Sequence, residues 1–531
     1  MEQQPTLPCL AGILASLVLS AGATSAMATQ NVSCESLASL AMPATTLTIV
    51  QEVTGGSFTP PGSTTAITGL PAFCRYAGVV APQINFEVWM PTQTWNGRLE
   101  AVGNGGLAGS ISYSDLATGL LRGFTTVSTD TGHVSSDTTW LTNAQQLIDY
   151  GSRSIHEMTV RAKTLVKAYY QEPLRYSYFN GCSTGGGQAL MSAQRYPDDF
   201  NGVLAGSSNW DQTKLRSGGH IWTWFALHET PQSNLSAAQR TLLTNAAIAK
   251  CDAQDGVKDG VVDDPRTCGF DPASLACQPN QDPNTCLSAP QIYAVNKIYA
   301  GSRNPRTGER IWPPYLPTSE SGWGSHAGAT PFGAATTFFR YAVFQNPTFD
   351  FLNFNFDTDT AKGEAFAPIV DATSPDLRAF RRHGAKLMMY HGFADPLISP
   401  VASINYYGSV VDFFGSKDEG EARGDGLEEV QEFARLFMIP GMGHCGGGPG
   451  TDTFDGIGTV QDWVERHVPP SRILASHLTN GVVDKTRPLC PWPERAVYTG
   501  TGSTNDAASF VCRVVEHDAD GGDRDHGGSR D

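Results

Sequence analysis

The chain has 531 residues, of which 40% are hydrophobic and 17% are charged, so it can bury a large core and exceeds the usual size of a single domain. We expect one large domain with an insertion, or two domains. The formal net charge of -16 leaves no basic surplus to neutralise phosphates, which argues against nucleic acid as a partner.

The N-terminus is predicted to be a secretory signal peptide at residues 1–28. An apolar run from Leu10 to Ala23 is followed by small residues, and Ala26-Met27-Ala28 fits an A-x-A cleavage site. The first residues contain no Lys or Arg, so a membrane anchor is the alternative. No later stretch approaches the roughly 18 apolar residues that a transmembrane helix needs. We therefore expect a secreted or periplasmic protein without membrane contact once the signal is removed.

Strand and helix patterns alternate from Phe86 to Ser208. The segments FEVWMP, RLEAVGNGG and GFTTVSTDTGH predict strands that end in Gly or Asp clusters. Apolar residues between Ala144 and Tyr170 recur at helical spacing and predict one amphipathic helix. RYSYFN, QALMSAQRYP and FNGVLAGSS then predict a strand, a helix and a strand. This alternation is typical of a mostly parallel sheet with helices on both faces.

The alternation stops between residues 209 and 366. That region contains four cysteines, an Asp-rich loop and aromatic clusters, and we predict that it is a lid domain inserted over the top edge of the sheet. AKLMMYHGFADPLISP and RLFMIPGMGHCGGGPG then continue the strand pattern. Residues 29–208 and 367–514 are therefore predicted to form the catalytic domain, and the charged, glycine-rich residues 515–531 a disordered tail.

The segment Gly181-Cys182-Ser183-Thr184-Gly185 fits the pattern G-x-S-x-G between a predicted strand and a predicted helix. In that setting the glycines allow a tight turn that projects the serine above the sheet. A glycine-rich turn with an incidental serine is the alternative. The context predicts that Ser183 is the nucleophile of an α/β-hydrolase core.

A serine nucleophile needs a base, and the base needs an orienting carboxylate. In α/β-hydrolases the chain order is serine, acid, histidine. Two predicted strand ends after the insertion supply Asp395 and His444 in that order. We prefer His444 because it lies in a glycine-rich loop and precedes Cys445. The other candidates are His383, His391, Asp412 and His467.

Ten of the eleven cysteines follow the predicted signal peptide, and an even number in an exported chain suggests disulfides. No C-x-x-C pair occurs, which weakens a metal-binding interpretation. If Cys182 and Cys445 are joined, their Cα atoms lie about 5.5 to 6 Å apart, and Ser183 and His444 are brought together. The alternative is two independent thiols.

The oxyanion hole is predicted from two glycine-rich turns. The residue after the nucleophile, Thr184, should supply one backbone N–H. A second donor should come from the loop Gly103-Asn104-Gly105-Gly106, where bare backbone can approach a carbonyl. We favour Gly106 as that donor, with Gly105 next.

The acidic run from Cys251 to Asp264 is predicted to be a structural calcium site. Carboxylates this dense repel one another unless a hard cation lies among them, and Ca²⁺ takes six to eight oxygen ligands. The spacing is not that of an EF-hand, no helical flanks are evident, and a solvated acidic turn is the alternative. Cys251 and Cys268 bracket the loop, and closing it is worth about 3 kcal/mol in the chain-entropy model. The predicted ligands are the side chains of Asp252, Asp255 and Asp259 and the carbonyls of Val257 and Val261.

Together these motifs resemble the tannase and feruloyl esterase family from Cys34 to Cys512. The segments that carry the resemblance are STDTGH, GCSTGG, AQRYP, CDAQDGVKDGVVDDP, HGFADPLISP, GMGHC and LCPWPERAVYTGTGSTNDAASFVC. The resemblance implies an α/β-hydrolase fold with a large inserted lid domain, the triad Ser183, Asp395 and His444, and the calcium loop chosen above. It also implies five disulfides, namely Cys34–Cys74, Cys182–Cys445, Cys251–Cys268, Cys277–Cys286 and Cys490–Cys512.

Two positions depart from the family pattern. Gly187 stands where the family often has a basic residue, and Gly206-Ser207-Ser208 stands where Gly-Ala-Pro is usual. Neither change removes a catalytic atom, but both alter the floor of the pocket.

The combined interpretation is a secreted serine esterase that hydrolyses esters of phenolic or aromatic acids through an acyl-enzyme. Its partner is then a small aromatic ester, and its cofactor a structural Ca²⁺. The alternatives are a calcium-stabilised module that binds phenolic ligands without turnover, and a serine peptidase with the same triad. Aromatic residues of the lid either stack on the substrate or form core; they are Trp222, Trp224, Trp323, Phe338 and Phe339.

Overall fold

The computed structural model describes residues 31–416 and 426–515 of the chain. The signal peptide predicted at residues 1–28, and all but the first residue of the tail predicted at 515–531, lie outside the described residues. None of the helices in the described ranges is long and apolar enough to cross a bilayer.

A nine-stranded mixed sheet forms the centre of the protein. Its spatial order is β1-β2-β3-β5-β4-β6-β7-β8-β9. The pairings β1–β2, β2–β3 and β3–β5 are antiparallel, and the remaining pairings are parallel. The strands are β1 (Thr45–Val53), β2 (Phe73–Val80), β3 (Ile84–Pro91), β4 (Arg98–Val102), β5 (Thr125–Thr129), β6 (Tyr176–Cys182), β7 (Gly202–Gly206), β8 (Lys386–Gly392) and β9 (Ala434–Ile439).

Eight of the helices around the sheet and in the segment between β7 and β8 are numbered in chain order. They are α1 (Tyr113–Leu121), α2 (Ser154–Tyr170), α3 (Thr184–Arg195), α4 (Trp222–His228), α5 (Ala237–Cys251), α6 (Ala289–Ala300), α7 (Pro400–Gly415) and α8 (Gly456–Arg466). Further helical segments, of seven residues or fewer, include Ala144–Ile148, Gln212–Lys214, Gly333–Thr337, Thr358–Glu364, Ala367–Val370, Arg378–Arg382 and Gly426–Gln431. Four small antiparallel pairs lie outside the sheet, namely Gly56–Phe58 with Ile67–Leu70, Ser302–Arg303 with Arg310–Trp312, Ile473–Thr479 with Val482–Leu489, and Glu494–Tyr498 with Phe510–Val514.

Helices cover both faces of the sheet because successive strand residues point to opposite sides. On β8, Leu387 and Met389 belong to the buried cluster that contains the apolar faces of α2, α3 and α7. Met388, between them, belongs to a separate cluster with α8. The mostly parallel sheet with helices on both faces, predicted from the alternation of strands and helices, is confirmed.

The helix predicted from Ala144 to Tyr170 is interrupted. It consists of Ala144–Ile148, a π-helical turn at Asp149–Arg153 and α2. A Cβ atom built on Gly151 would lie 2.2 Å from the carbonyl oxygen of Ile369, so another backbone segment packs directly against this turn. Such turns are typical of places where a helix is adapted to a close neighbour.

The segment 209–366 leaves and rejoins the sheet at neighbouring strands. The chain departs after β7 and returns at β8, and these two strands pair in parallel from Gly202↔Lys386 to Gly206↔Tyr390. Inside the segment, Trp224, Phe338 and Phe339 are buried in one apolar cluster and Trp323 in another. The boundaries of the lid domain stay a prediction.

Five disulfides join the ten cysteines in the pairs implied by the family resemblance. The Cα–Cα separations lie between 4.8 and 6.0 Å. The pairs are Cys34–Cys74, Cys182–Cys445, Cys251–Cys268, Cys277–Cys286 and Cys490–Cys512.

Candidate active site

Ser183 lies in a sharp turn between β6 and α3. Its φ of 62° is unusual for a residue with a side chain. A Cβ atom on Gly181 would lie 2.5 Å from the backbone of Gly185, so the turn closes only because that position is glycine. The turn is also held from β7, since the N–H of Ser183 donates to Gly206 (3.0 Å). This is the geometry of a nucleophile elbow, in which the serine hydroxyl stands above the sheet.

The loops at the carboxyl ends of four parallel strands lie at the edge of the sheet where this turn lies. β6 is followed by Ser183, β8 by Asp395 and β9 by His444, while β4 is followed by the loop Gly103-Asn104-Gly105-Gly106. Parallel strands place such loops side by side, which is why residues far apart in the sequence meet here.

Asp395 and His444 are in direct contact. Nδ1 of His444 and Oδ2 of Asp395 are 2.7 Å apart, which leaves Nε2 as the ring nitrogen available to another group. Burial lowers the pKa of His444, but the charge and hydrogen bond of Asp395 outweigh it and leave that pKa above its ordinary value. Burial would also raise the pKa of Asp395, yet His444 and His391 hold it below the usual range. The pair therefore consists of a carboxylate and a basic imidazole.

The Cys182–Cys445 disulfide fixes the nucleophile turn to the histidine loop. Its Cα atoms are 6.0 Å apart, and its two cysteines are the residues directly before Ser183 and directly after His444. Both functional residues line the same cavity. The covalent link joins two loops that are separated by 263 residues of sequence.

His391 is a second imidazole on the acid. Its Nε2 lies 3.1 Å from Oδ2 of Asp395 and 3.1 Å from the carbonyl oxygen of Ile398, and its Nδ1 lies 2.7 Å from Oγ of Ser403. It is fully buried and does not line the cavity. The other candidates are also absent from the cavity wall; they are His383, Asp412 and His467.

The two predicted oxyanion donors lie on adjoining turns. Thr184 begins α3, and the first intrahelical N–H donor of that helix is Gly187, so the N–H of Thr184 has no partner within the helix. Its side-chain hydroxyl donates to the carbonyl of Gly106 (2.6 Å) and ties the two turns together. Gly105 and Gly106 both line the cavity, and a Cβ on either would meet nothing within 4 Å. Backbone N–H groups at a helix N-terminus stabilise developing negative charge.

A cavity of about 490 Å³ adjoins these residues. Its wall includes two buried polar residues of the inserted segment, Arg216 and His220, together with Phe332 from the same segment. Sequence reasoning missed these three, because nothing in the spacing of the segment distinguishes wall residues from core. None of the five aromatic residues considered for substrate stacking lines the cavity, and four of them are buried in core clusters.

Gly187 marks the floor beside this cavity. A Cβ on it would lie 2.4 Å from the carbonyl oxygen of Asn209, which lines the cavity. The basic side chain often found here in the family would therefore displace this backbone. The path of the chain after β7 thus requires glycine at position 187.

The acidic loop has the donor chemistry of a calcium site but not an assembled set of side chains. Asp252 Oδ1 accepts the N–H groups of Asp259 (3.2 Å) and Gly260 (3.0 Å), and Asp255 Oδ1 accepts that of Val257 (2.9 Å). Oδ2 of Asp259 contacts Lys485 (3.2 Å) and Arg487. In the described part of the chain, no group of three or more His, Cys, Asp or Glu residues is arranged to hold a metal ion.

Burial and neighbouring carboxylates destabilise the ionised form of two aspartates in this loop. Burial raises the pKa of Asp255 to about 6 and that of Asp263 to about 7. The expectation that the loop lacks helical flanks is wrong on its N-terminal side, because α5 runs to Cys251 and a 3₁₀ helix follows at Asp252–Asp255. Calcium binding by the loop stays a prediction.

Comparison with known proteins gives consistent matches. The family model described as "Tannase and feruloyl esterase" matches residues 66–513. An uncharacterized esterase of Xanthomonas campestris is 38% identical over 92% of this chain and 93% of its own length. A probable feruloyl esterase B-1 of Aspergillus oryzae is 33% identical over 85% of this chain and 86% of its own length.

Solved structures match in the same way. The crystal structure of feruloyl esterase B from Aspergillus oryzae superposes with a TM-score of 0.83, at 31% identity over 90% of this chain and 99% of that chain. The tannin acyl hydrolase from Aspergillus niger superposes with a TM-score of 0.75 over 90% of this chain and 92% of that chain, and at 23% identity it supports the shared fold alone.

Proposed function

This chain belongs to the tannase and feruloyl esterase family and is a carboxylic ester hydrolase, and from that premise we propose that Ser183, His444 and Asp395 are its catalytic triad. The observation that carries the proposal is the 2.7 Å contact between Nδ1 of His444 and Oδ2 of Asp395, with His444 and Ser183 lining the same cavity. In the proposed triad, Oγ of Ser183 donates a hydrogen bond to Nε2 of His444.

The reaction proceeds through an acyl-enzyme. His444 Nε2 takes the proton of Ser183 as Oγ forms a bond to the ester carbonyl carbon, and the carbonyl oxygen becomes an oxyanion held by the N–H groups of Thr184 and Gly106. Asp395 holds the resulting imidazolium. His444 then returns the proton to the departing alcohol as the C–O bond breaks. Water, activated by the same imidazole, releases the acid and restores Ser183.

The substrates are esters of phenolic or other aromatic acids. This part of the proposal rests on the relative named feruloyl esterase B, which shares the fold over nearly its whole length. The cavity combines apolar wall residues, such as Phe332 and Leu397, with the polar groups Arg216, His220 and Asn209. A wall of that kind suits an aromatic ring that carries oxygen substituents.

Replacement of the proposed nucleophile gives the direct test. Three aromatic esters serve as substrates: methyl ferulate, methyl gallate and a monoester of terephthalic acid. Ser183→Ala should lower kcat for them by about 10³-fold or more, because no side chain remains to form the acyl-enzyme. Ser409→Ala is the matched control and should leave kcat unchanged. It removes a hydroxyl on α7 that donates a hydrogen bond to the carbonyl of Tyr406. Turnover by Ser183→Ala at the wild-type rate would refute the triad.

A fluorophosphonate label separates the alternatives. The wild-type protein should be labelled on Ser183 and should hydrolyse esters much faster than the matching amides. Protein that binds phenolic acids but takes up no label would instead be a binding module. Protein that cleaves the amides as fast as the esters would be a peptidase.

We infer an oxidising compartment, secreted or periplasmic, as the place of action. Five disulfides are formed, and such bonds persist outside the reducing cytosol. One of them lies at the proposed catalytic residues themselves.

We also propose that the acidic loop binds a structural Ca²⁺. The proposal rests on donor chemistry, since hard carboxylate and carbonyl oxygens are concentrated on one short loop. A cation there would offset the buried charge of Asp255 and Asp263, and it takes no part in the chemical steps. The proposed ligands are the side chains of Asp252, Asp255 and Asp259 and the carbonyls of Val257 and Val261.

A further inference from the structure

Two backbone N–H groups solvate the carboxylate of Asp395. Leu397 donates to Oδ1 at 2.8 Å and Ile398 donates to the same oxygen at 3.0 Å. The other oxygen, Oδ2, faces His444 and His391. Because Asp395 is fully buried, these contacts replace the water that would otherwise stabilise its charge.

The same two peptide units are held at their carbonyl ends by side chains of the inserted segment. The carbonyl of Pro396, which shares a peptide unit with the N–H of Leu397, accepts from Nε2 of His326 (3.0 Å). The carbonyl of Leu397, which shares a unit with the N–H of Ile398, accepts from Nε2 of His220 (3.0 Å) and from the hydroxyl of Tyr315 (2.7 Å). In a trans peptide the C=O and N–H groups point in opposite directions. The donors therefore lie behind the two N–H groups that contact Asp395.

These contacts determine which ring nitrogen of each histidine carries the proton. A carbonyl oxygen only accepts, so Nε2 carries the proton in each ring. Burial lowers the pKa of His326 to about 4 and that of His220 well below its ordinary value, so both rings are neutral donors. His326, His220 and Tyr315 are all buried, and their positions are set by the packing of the inserted segment.

We propose that His326, His220 and Tyr315 are positioning residues for the catalytic acid, acting through the two peptide units that follow Asp395. Each chain of hydrogen bonds runs from a side chain of the inserted segment, through a peptide unit, to Oδ1 of Asp395. Such chains polarise one another, so the outer donor strengthens the inner one. The inserted segment thereby helps to set the alignment of Asp395 with His444 as well as forming part of the cavity wall. The inference rests on the proposed triad.

Several charged or titratable side chains surround this hydrogen-bond network. His444 and His391 face Asp395 directly, and His326 and Tyr315 lie close enough to feel its charge. His220 has Arg216, His326 and His444 as charged or titratable neighbours. Of the ionisable groups that act on His444, Asp395 is the one that raises its pKa. A misaligned Asp395 should therefore lower the pKa of His444.

His326 and Tyr315 are the residues to change, because neither lines the cavity, whereas His220 does. His326→Leu should lower kcat about tenfold and leave KM unchanged, and Tyr315→Phe should lower kcat about two- to fivefold, since His220 still donates to Leu397. In both variants the acid limb of the pH profile of kcat should move to lower pH by a few tenths of a unit. His326→Gln, which can place an N–H near the position of Nε2, should restore much of the activity.

Tyr299→Phe is the matched control. Tyr299 is a tyrosine of the same segment. Its hydroxyl donates a hydrogen bond to the buried Glu320 and not to the peptide units that follow Asp395. It should lower the melting temperature without moving the acid limb. If His326→Leu and Tyr315→Phe also lower only the melting temperature, with the acid limb in its wild-type position, the positioning role is overturned.

Failure of the triad itself has a different signature. If Ser183→Ala keeps wild-type turnover, the proposed function is wrong and the positioning role falls with it. If Ser183→Ala is inactive while the acid limb stays fixed in His326→Leu and Tyr315→Phe, only the positioning role is wrong. Should His326→Leu fail to fold, the pH profile of Tyr315→Phe decides the question.

Discussion

At the scale of single residues, Asp395 is the most heavily contacted group of the site. It is a buried carboxylate that faces two imidazoles through Oδ2 and two backbone N–H groups through Oδ1. The contacts keep it ionised despite its burial, and its charge in turn raises the pKa of His444. The basicity of His444, the proposed catalytic base, therefore depends on the groups that surround Asp395.

The pH dependence of activity should report this coupling. His444 must be neutral to accept a proton, so kcat/KM should rise with pH as His444 loses its proton, and because its pKa is raised, the midpoint should lie above about 6.5. Asp395→Asn should lower kcat about 10³- to 10⁴-fold and move that midpoint to lower pH, since the carboxylate charge is gone. Kinetics from pH 4 to 9 measure both effects. A midpoint that stays in place in Asp395→Asn would show that another group controls the acid limb.

Much of the site at this scale could be predicted from the sequence. The residues beside Ser183 and His444 carry local signals, namely the glycines of a tight turn and a cysteine next to each functional residue. The second imidazole, His391, and the donors His326 and Tyr315 carry no such signal. Their roles depend on which backbone carbonyls lie opposite them after folding, and that is set by the packing of distant segments.

At the scale of elements, the acidic loop connects α5 to the rest of the inserted segment. Its Asp259 reaches Lys485 and Arg487 on the strand Val482–Leu489, so the loop also joins this segment to the C-terminal part of the chain. Asp252 and Asp255 instead accept backbone N–H groups within the loop. The predicted Ca²⁺ would supply the missing positive charge at a junction between two parts of the molecule.

Removal of calcium should therefore destabilise the protein before it affects chemistry. Treatment with EGTA should lower Tm by several °C, and added Ca²⁺, but not Mg²⁺, should restore it, because Mg²⁺ needs a smaller octahedral site. Asp255→Asn should reduce this response. Asp271→Asn, outside the loop, is the matched control: the asparagine oxygen can still cap the helix at Pro272–Leu275, so both Tm and the calcium response should stay intact. Protein that contains no calcium and shows no EGTA effect would contradict the proposal.

The strands β3 to β9 and the helices α2 and α3 could be predicted because their apolar periodicity is strong. The interruption between Ala144 and Tyr170 could not, since a π-helical turn changes the periodicity by only one residue. Its cause is the backbone at Ile369, which belongs to a different part of the sequence.

At the scale of the whole molecule, the site is assembled from two halves of the chain. The proposed nucleophile and oxyanion turns precede the inserted segment, and the proposed acid and base follow it. The Cys182–Cys445 disulfide closes this arrangement over a separation of 263 residues. The cavity then lies between the sheet edge and the inserted segment, so the wall residues come from both parts.

Loss of this disulfide should cost both stability and turnover. Cys182→Ala combined with Cys445→Ala should destabilise the protein by up to about 5 kcal/mol in the chain-entropy model, and kcat should fall because two catalytic residues lose their shared anchor. Removal of Cys277–Cys286, which spans 9 residues, should cost roughly 3 kcal/mol at most and leave kcat unchanged. Thermal unfolding and steady-state kinetics on both variants distinguish the cases. Equal effects on kcat would contradict a special role for the longer link.

The pairing of β7 with β8 has a consequence for how such enzymes diversify. Since the chain leaves the sheet and returns to it on adjacent strands, the inserted segment can be exchanged as one cassette without changing the register of the strands that carry the catalytic loops. A chimera with the segment of a relative should keep its chemistry and acquire the donor's selectivity, provided that the grafted cassette also brings its own hydrogen-bond donors for Pro396 and Leu397.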